Sequence, residues 1–217
     1  MKPHDLLVVR DAAAEQATPF SSALPAWTNP HWPVVMRRAP CSPDGVWVPV
    51  GMRGVTRSER FPVMVKKSAI SHCIAPESLV TDQAWLMHAA LADFPCVVAL
   101  NKIANSLKNF DLPWGPAGSV GFALATGVAI LRVDSDLDLL IRATHPLSAI
   151  QIDVLRSIQL NTKSNACNID IQIDTGRGGF AFAEWLRGPT KILLKTNAGP
   201  LLTVDPWCMP ERGEQQA

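Results

Sequence analysis

The sequence lacks several features that would assign it to a common functional class. Its 20 Lys and Arg residues are balanced by 19 Asp and Glu residues, so no overall positive field favours binding to DNA or RNA. The longest apolar run, residues 120–131, is too short to cross a bilayer. The five cysteines are scattered, and neither they nor the five histidines have the spacing of zinc ligands. We therefore expect no nucleic-acid partner and no membrane association, and any charged site must be local.

The amino-terminal residues, MKPHDLLVVRDAAAEQ, predict neither a secretory signal nor a transit peptide, because acidic residues come before any long apolar run. The odd number of dispersed cysteines is typical of reduced thiols. Together these features predict a cytoplasmic protein. Its 217 residues are enough for one large domain or two small ones with a sizeable core.

Composition changes near residue 75. Prolines interrupt short apolar runs such as Val34–Met36 and 46–50 before that point, which predicts short strands joined by turns. Helical periodicity follows over 76–94 and again near 100–107. We predict a small β-rich domain at 1–75, a second domain at 76–210, and a disordered tail at 211–217.

The second part of the chain alternates strand and helix patterns, which predicts an α+β fold. The expected elements are strands at 122–126 and 136–141, a helix at 146–160, a strand at 169–174, a short helix at 180–186, and terminal strands at 191–196 and 201–204.

Two acidic residues on the second of these strands form the first candidate site. Asp136 and Asp138 alternate with leucines, so in a strand both carboxylates point to one face while the leucines enter the core. Adjacent carboxylates repel unless a cation neutralises them, and Mg²⁺ prefers oxygen ligands of this kind. A solvated edge strand is the alternative. Asp134 with Asp136 is another spaced pair, but Asp134 has the character of a turn residue.

Two further features extend the candidate site. Gly118 and Ser119 form a turn ahead of the strands, where backbone amides can approach phosphate oxygens closely. The later strand, IDIQID, places Asp170 and Asp174 on one face, and either could supply a third carboxylate. Three convergent carboxylates suit magnesium-dependent displacement at phosphorus, which relies on positioning and charge neutralisation more than on a protein nucleophile.

This order of motifs resembles the polymerase-beta-type nucleotidyltransferase superfamily. Longer segments are similar to a narrower family, the malonate decarboxylase holo-acyl-carrier-protein synthases, also called phosphoribosyl-dephospho-CoA transferases. The segments are PHDLL, VPVGMRGVTRSERF, WGPAGSVGFALATG, SDLDLLIRA and IDIQIDTGRGGFAFAEWLRG, which extend over nearly the whole chain. One departure is Ala123, where the resemblance leads us to expect an acidic residue.

The resemblance implies a nucleotidyltransferase-like mixed sheet and a specific reaction. Members of this family transfer the phosphoribosyl-dephospho-CoA group from 2'-(5''-triphosphoribosyl)-3'-dephospho-CoA to a serine of the apo acyl-carrier subunit of malonate decarboxylase, with release of pyrophosphate. By resemblance, Asp136, Asp138 and Asp170 would bind Mg²⁺, and Gly118 with Ser119 would hold the triphosphate. Asp170 is preferred to Asp174, which borders a turn.

A group of arginines is a second candidate for phosphate binding. Arg53, Arg57 and Arg60 lie within eight residues of a glycine-bearing segment, and guanidinium groups bind phosphate in bidentate fashion. They could instead attract an acidic carrier protein, or form a solvated loop. Two other functions stay open: a small-molecule nucleotidyltransferase that uses ATP, and a non-catalytic carrier-binding protein.

Overall fold

The computed structural model describes residues 1–10, 24–160 and 167–208. These residues form two β-sheets and five α-helices, which confirms the predicted α+β class. The predicted disordered tail, 211–217, lies outside the described residues. No helix within the described ranges has both the length and the apolar character that a membrane crossing requires.

The amino-terminal sheet has five strands in the order β4-β3-β2-β1-β5, and each neighbouring pair is antiparallel. Strand β4 lies at the edge of the sheet and includes Pro62. An edge position suits proline, because proline cannot donate a ladder hydrogen bond. The strands are β1 (Leu6–Val9), β2 (Val34–Met36), β3 (Trp47–Arg53), β4 (Arg60–Lys66) and β5 (Ile70–Ile74). A short 3₁₀ turn, Lys67–Ala69, joins the last two.

Both faces of this sheet are packed. Successive side chains along a strand point to opposite faces, and here they enter two different apolar clusters. Leu7 and Val34 belong to a cluster that forms the sheet's own core. Leu6, next to Leu7, belongs instead to the large core of the rest of the molecule, against which Val35 and Ile74 also pack. The amino-terminal sheet therefore lies with one face against the carboxyl-terminal part of the chain.

The carboxyl-terminal sheet has six strands in the order β11-β10-β9-β8-β7-β6. Only the β7–β8 pair is parallel, and helix α4 makes the connection between these two strands. The strands are β6 (Trp114–Pro116), β7 (Leu137–Arg142), β8 (Ile169–Asp174), β9 (Gly178–Ala181), β10 (Ile192–Thr196) and β11 (Gly199–Thr203). The helices are α1 (Pro76–Thr81), α2 (Pro95–Ser106), α3 (Gly118–Thr126), α4 (Ala149–Leu160) and α5 (Phe182–Trp185).

One predicted strand is wrong: residues 122–126 belong to helix α3. Five consecutive residues of this helix are buried, so the segment is apolar all round and shows no helical stripe. A short apolar run of this kind cannot be assigned to helix or strand by periodicity alone. Gly118 and Ser119 are accordingly the first two residues of a helix, with no strand directly after them.

The other predicted elements exist with shifted limits. The helical pattern over 76–94 is not one helix. Helix α1 ends before Gln83, which adopts a left-handed conformation with a φ of 48°. Two 3₁₀ turns follow, Ala84–Leu86 and Ala89–Leu91. Strand β9 takes the first residues of the predicted short helix, which begins at Phe182. Strand β7 begins at Leu137, one residue after Asp136.

A buried ion-pair network joins the two sheets. The guanidinium of Arg142 in β7 lies 3.0 Å from Asp5, 2.8 Å from Glu77 and 2.6 Å from Asp174, measured between nitrogen and carboxylate oxygen. It also donates to the carbonyl of Pro3. The side chains of Arg142, Asp5 and Asp174 are at most 6 % exposed. Strand β1 is thus fixed against the carboxyl-terminal sheet by one arginine.

Candidate functional site

Helix α3 begins directly against an aspartate of strand β7. Gly118, its first residue, has a φ of 58°, and a Cβ at this position would overlap the Oδ2 atom of Asp138. Only glycine satisfies both conditions without strain. The Ala117 amide donates to the Asp138 carbonyl, which ties the start of the helix to the strand. The unpaired amides of a first helical turn, with the positive end of the helix dipole, suit a bound phosphate.

Asp138 has a second carboxylate beside it. It is the register partner of Asp170 on the parallel strand β8, so the two side chains project from the same face of the sheet. Burial raises the pKa of Asp138 from 3.8 to about 6, with further contributions from the negative charges of Asp170 and Asp136. A cation bound between these groups would remove this repulsion.

Asp136 lies at the entrance of this cluster and already has polar partners. The Asn168 side-chain amide donates to it at 3.1 Å, and a guanidinium nitrogen of Arg57 lies 3.4 Å from its other oxygen. Among the described residues, no three His, Cys, Asp or Glu side chains are already grouped as metal ligands. Mg²⁺ commonly takes only one or two protein carboxylates and completes its shell with water and substrate phosphates. Asp138 and Asp170 fit that requirement.

Asp174, the alternative third carboxylate, belongs to the buried ion-pair network of Arg142. It is the register partner of Arg142, accepts a hydrogen bond from the Gly176 amide, and lies 3.4 Å from Arg38. Its side chain is 4 % exposed. The geometry therefore favours Asp170 as the partner of Asp138. Asp134, in the turn before β7, is largely exposed and pairs with Arg132.

Arg53, at the end of strand β3, faces the start of helix α3 from the amino-terminal sheet. Its guanidinium donates to the Gly118 carbonyl at 3.3 Å and to the Ser119 hydroxyl at 3.2 Å. It also lies over the Phe122 ring, 4.6 Å from the centroid. The residue is 5 % exposed, and its Nε has no hydrogen-bond partner among the described residues.

The charge on Arg53 is not neutralised by a close carboxylate. No Asp or Glu of the described ranges lies within ion-pair distance of it, and burial lowers its pKa to about 10, so that it stays protonated at neutral pH. Its register partner across the β3–β4 hairpin is Arg60, whose pKa is also lowered, first by burial and then by the charge of Arg57. Two like charges directly opposite each other destabilise a strand pair, whereas a bound anion would stabilise this one.

Seven of the eight predicted site residues line one cavity of about 330 Å³, which we call the charged cavity. They are Arg53, Arg57, Arg60, Gly118, Ser119, Asp136 and Asp138. Asp170 lines an adjacent cavity, also of about 330 Å³, which shares Gly118 and Asp138 with the first. Residues separated by more than 100 positions in the chain are therefore brought to one place, with arginines on one side and carboxylates on the other.

Sequence reasoning missed two residues near the site, His4 and Asn168. Asn168 directly precedes strand β8, at the same end as Asp136, and this position was a usable signal. Lys195 and His4 line the Asp170 cavity, but no sequence pattern connects them to Asp170. Trp114, beside the start of α3, lies in the core, and Trp185 lies in an aromatic cluster with Phe180. Ala123 is fully buried in α3.

Comparison with known proteins gives a consistent result over both parts of the chain. Residues 2–76 match the family model of the phosphoribosyl-dephospho-CoA transferase MdcG N-terminal domain, and residues 83–206 match that of the MdcG C-terminal domain. Proteins named phosphoribosyl-dephospho-CoA transferase from Pseudomonas aeruginosa and Klebsiella pneumoniae subsp. pneumoniae are each 38 % identical to this chain. The alignments cover 97 % and 95 % of this chain, and 95 % and 96 % of the relatives. No solved structure shows a significant match.

The α+β fold and the family models define the class of the protein, a transferase. The chain belongs to the phosphoribosyl-dephospho-CoA transferase family, as its sequence motifs predict.

Proposed function

We propose that the protein transfers the phosphoribosyl-dephospho-CoA group from 2'-(5''-triphosphoribosyl)-3'-dephospho-CoA to a serine of the apo acyl-carrier subunit of malonate decarboxylase, with release of pyrophosphate. The observation that carries this proposal is the pair of opposed charge groups around Gly118. Asp138 and Asp170 are adjacent on one sheet, and Arg53 and Arg60 are adjacent on the other. A polyphosphate with bound cations matches both groups.

In the proposed reaction, the serine oxygen forms a bond to the α-phosphorus of the donor, and the bond from that phosphorus to the bridging oxygen of the β-phosphate breaks. The serine proton leaves for a carboxylate or for water. Burial raises the pKa of Asp138 to about 6, so that before a cation binds its carboxylate is ionised in most molecules at neutral pH and is able to take Mg²⁺. The departing pyrophosphate carries the charge that the arginines would neutralise.

Mg²⁺, when bound, would neutralise phosphate oxygens of the donor and of the leaving group. Asp138 and Asp170 are the residues that would hold it, with Asp136 at the edge of the cluster. Gly118 and Ser119 would offer their amides to the triphosphate, and Arg53 would hold the start of helix α3 in place through its two hydrogen bonds.

The exposed arginine has a separate proposed role. The Arg57 side chain is 90 % exposed at the mouth of the charged cavity, where it can contact either the donor or an incoming acidic carrier protein. We also propose a cytoplasmic location, which accords with five cysteines that are all free thiols.

Mass spectrometry of the apo carrier subunit tests this function directly. After incubation with the donor, Mg²⁺ and the protein, the carrier should gain the mass of the phosphoribosyl-dephospho-CoA group, with one pyrophosphate released per carrier. Asp138→Asn should abolish the gain. Asp153→Asn removes an exposed carboxylate on α4 and should have no effect. An unchanged rate in Asp138→Asn would exclude the proposed role of Asp138, and no gain of mass with the unsubstituted protein would support the non-catalytic carrier-binding alternative.

Labelled ATP distinguishes the remaining alternative. A small-molecule nucleotidyltransferase would use ATP to modify a metabolite hydroxyl with the same carboxylates, whereas a carrier-protein transferase with this donor should leave ATP unconsumed. ATP consumption without modification of the carrier would contradict the proposed function.

A further inference from the structure

A third cavity, which we call the apolar cavity, lies between the two sheets and has a volume of about 400 Å³. This volume is within the range of about 300–1,000 Å³ that small-molecule sites occupy. One wall is a single row of residues that are register partners across all five strands of the amino-terminal sheet. In strand order the row is Ile74, Leu6, Val35, Gly51 and Pro62.

The row is apolar, and its fourth member is the one without a side chain. Gly51 has no side chain, and a Cβ built there would meet the Arg37 side chain at 3.5 Å, an ordinary contact. The opposite wall comes from the other sheet's domain and includes Leu79 of α1 with Gly121 and Phe122 of α3. The cavity therefore requires both parts of the molecule.

The charged residues of this cavity are all basic. Arg37, Arg53 and Arg60 line it, and no Asp or Glu of the described residues does. Arg53 is the buried arginine whose Nε has no partner. An apolar cavity with uncompensated positive charge at one side suits a ligand that has a flat, uncharged part joined to phosphates.

The apolar cavity is continuous with the proposed reaction site. It shares Arg53, Arg60 and Gly118 with the charged cavity. In the donor of the proposed reaction, the ribose that bears the triphosphate is attached to the 2'-oxygen of adenosine. When the triphosphate lies at Gly118 and the arginines, the adenosine is the next part of the molecule and reaches the neighbouring cavity.

We infer that the apolar cavity binds the adenosine of the donor, with the purine against the row of register partners in the amino-terminal sheet. This inference rests on the proposed function. The flexible pantetheine arm fits less well, because its two amides would need hydrogen-bond partners that an apolar wall does not supply. A purine needs apolar contact over its faces and polar partners only at its edge. His4 lies at the boundary with the Asp170 cavity.

Calorimetric titration of the full chain with 3'-dephospho-CoA tests this assignment. Adenosine 5'-monophosphate should compete with this probe, and 4'-phosphopantetheine should not. Gly51→Phe, which adds a ring to the cavity wall beside Arg37, should weaken binding of both adenosine-containing probes at least tenfold. Val46→Phe adds the same ring at an exposed position outside the cavity and should leave binding unchanged. If Gly51→Phe lowers the melting temperature, Gly51→Val replaces it.

Competition by phosphopantetheine but not by the nucleotide, or unchanged binding in both Gly51 variants, would overturn the inference. Failure of the proposed function gives a different pattern. In that case dephospho-CoA would still bind and respond to Gly51→Phe, but the carrier would gain no mass. When the adenosine site and the proposed function are both correct, Asp138→Asn retains binding of dephospho-CoA and loses transfer. In the same case Gly51→Phe raises the KM for the donor more than it lowers kcat.

Discussion

The two ends of the β7–β8 strand pair have opposite electrostatic designs. At one end the register partners are Asp138 and Asp170, two like charges; four residues further along they are Arg142 and Asp174, an ion pair. Both pairs project from the same face of the same two parallel strands. The neutralised end is buried and joins the two sheets, whereas the repulsive end lines cavities. Residue type alone does not separate the aspartate that joins the sheets from those that line cavities; their register partners do.

The largest expected effect is at the neutralised end. Arg142→Met should lower the free energy of unfolding by about 3–5 kcal/mol, because Asp5 would stay buried without a countercharge and Asp174 would keep only Arg38, at 3.4 Å. Urea denaturation measures this loss. Arg156→Met removes an exposed arginine from helix α4 and should change stability by less than about 0.5 kcal/mol. Equal effects of the two substitutions would contradict the role of Arg142 in joining the sheets.

At the repulsive end, removal of a charge should stabilise the protein while it abolishes transfer. The folded state raises the pKa of Asp138 from 3.8 to about 6, so the unfolded chain releases this proton first as the pH rises. Stability therefore falls between about pH 4 and pH 6, by up to about 3 kcal/mol. Asp138→Asn cannot ionise and should exceed the wild type in stability at pH 7–8, with the two converging near pH 4.

Thermal denaturation with a chelator present, at pH 4 and pH 8, measures this difference. Transfer to the carrier should fall by about 100-fold or more in the same variant. Added Mg²⁺ should raise the melting temperature of the wild type and leave that of Asp138→Asn unchanged. A variant less stable than the wild type at pH 8 would contradict the repulsion between these carboxylates.

A smaller effect is expected where helix α3 meets Asp138. Gly118→Ala should cost about 1–2 kcal/mol of stability because of the left-handed backbone, in addition to displacement of the Asp138 carboxylate. Transfer should fall more than stability does. Ser119→Ala leaves the backbone unstrained and serves as the comparison, since it removes only the hydroxyl that accepts from Arg53. Retained transfer in Gly118→Ala would show that this contact is dispensable.

The smallest effect concerns the exposed ion pair at the entrance. Arg57→Gln should change the free energy of unfolding by less than about 0.5 kcal/mol, because Arg57 is 90 % exposed. The KM for the donor or for the carrier should rise several-fold, and its dependence on salt should weaken. Steady-state kinetics at two ionic strengths, with the donor and the carrier varied in turn, show which of the two KM values changes. A large loss of stability would be inconsistent with a role limited to the entrance.

Strand alternation was sufficient to predict that Asp136 and Asp138 lie at one place, where both line the charged cavity, and that Asp170 and Asp174 share a face. The turn after Asp174 already favoured Asp170 in the sequence, but the register is what shows the ion pair of Asp174 with Arg142. Local sequence does not specify the register between strands that helix α4 separates. Part of helix α3 was predicted as a strand for another reason. A helix buried on all sides has the same apolar composition as a central strand.

The amino-terminal sheet contributed the least predictable part of the site. The cluster of Arg53, Arg57 and Arg60 was visible in the sequence, but its position opposite helix α3 follows from the packing of two sheets. The row of apolar register partners was not visible, because its members come from five separate strands. The roles assigned to the site residues stay predictions until the variants are measured.

Gly118 borders all three cavities, so its Cα atom lies where the compartments proposed for the triphosphate, the adenosine and the metal-binding carboxylates meet. A synthetic inhibitor designed to occupy more than one compartment must pass this position. Its linker should therefore be thin and unbranched there, with bulk reserved for the ends. Compounds that carry a substituent at the crossing point should lose potency by steric exclusion alone.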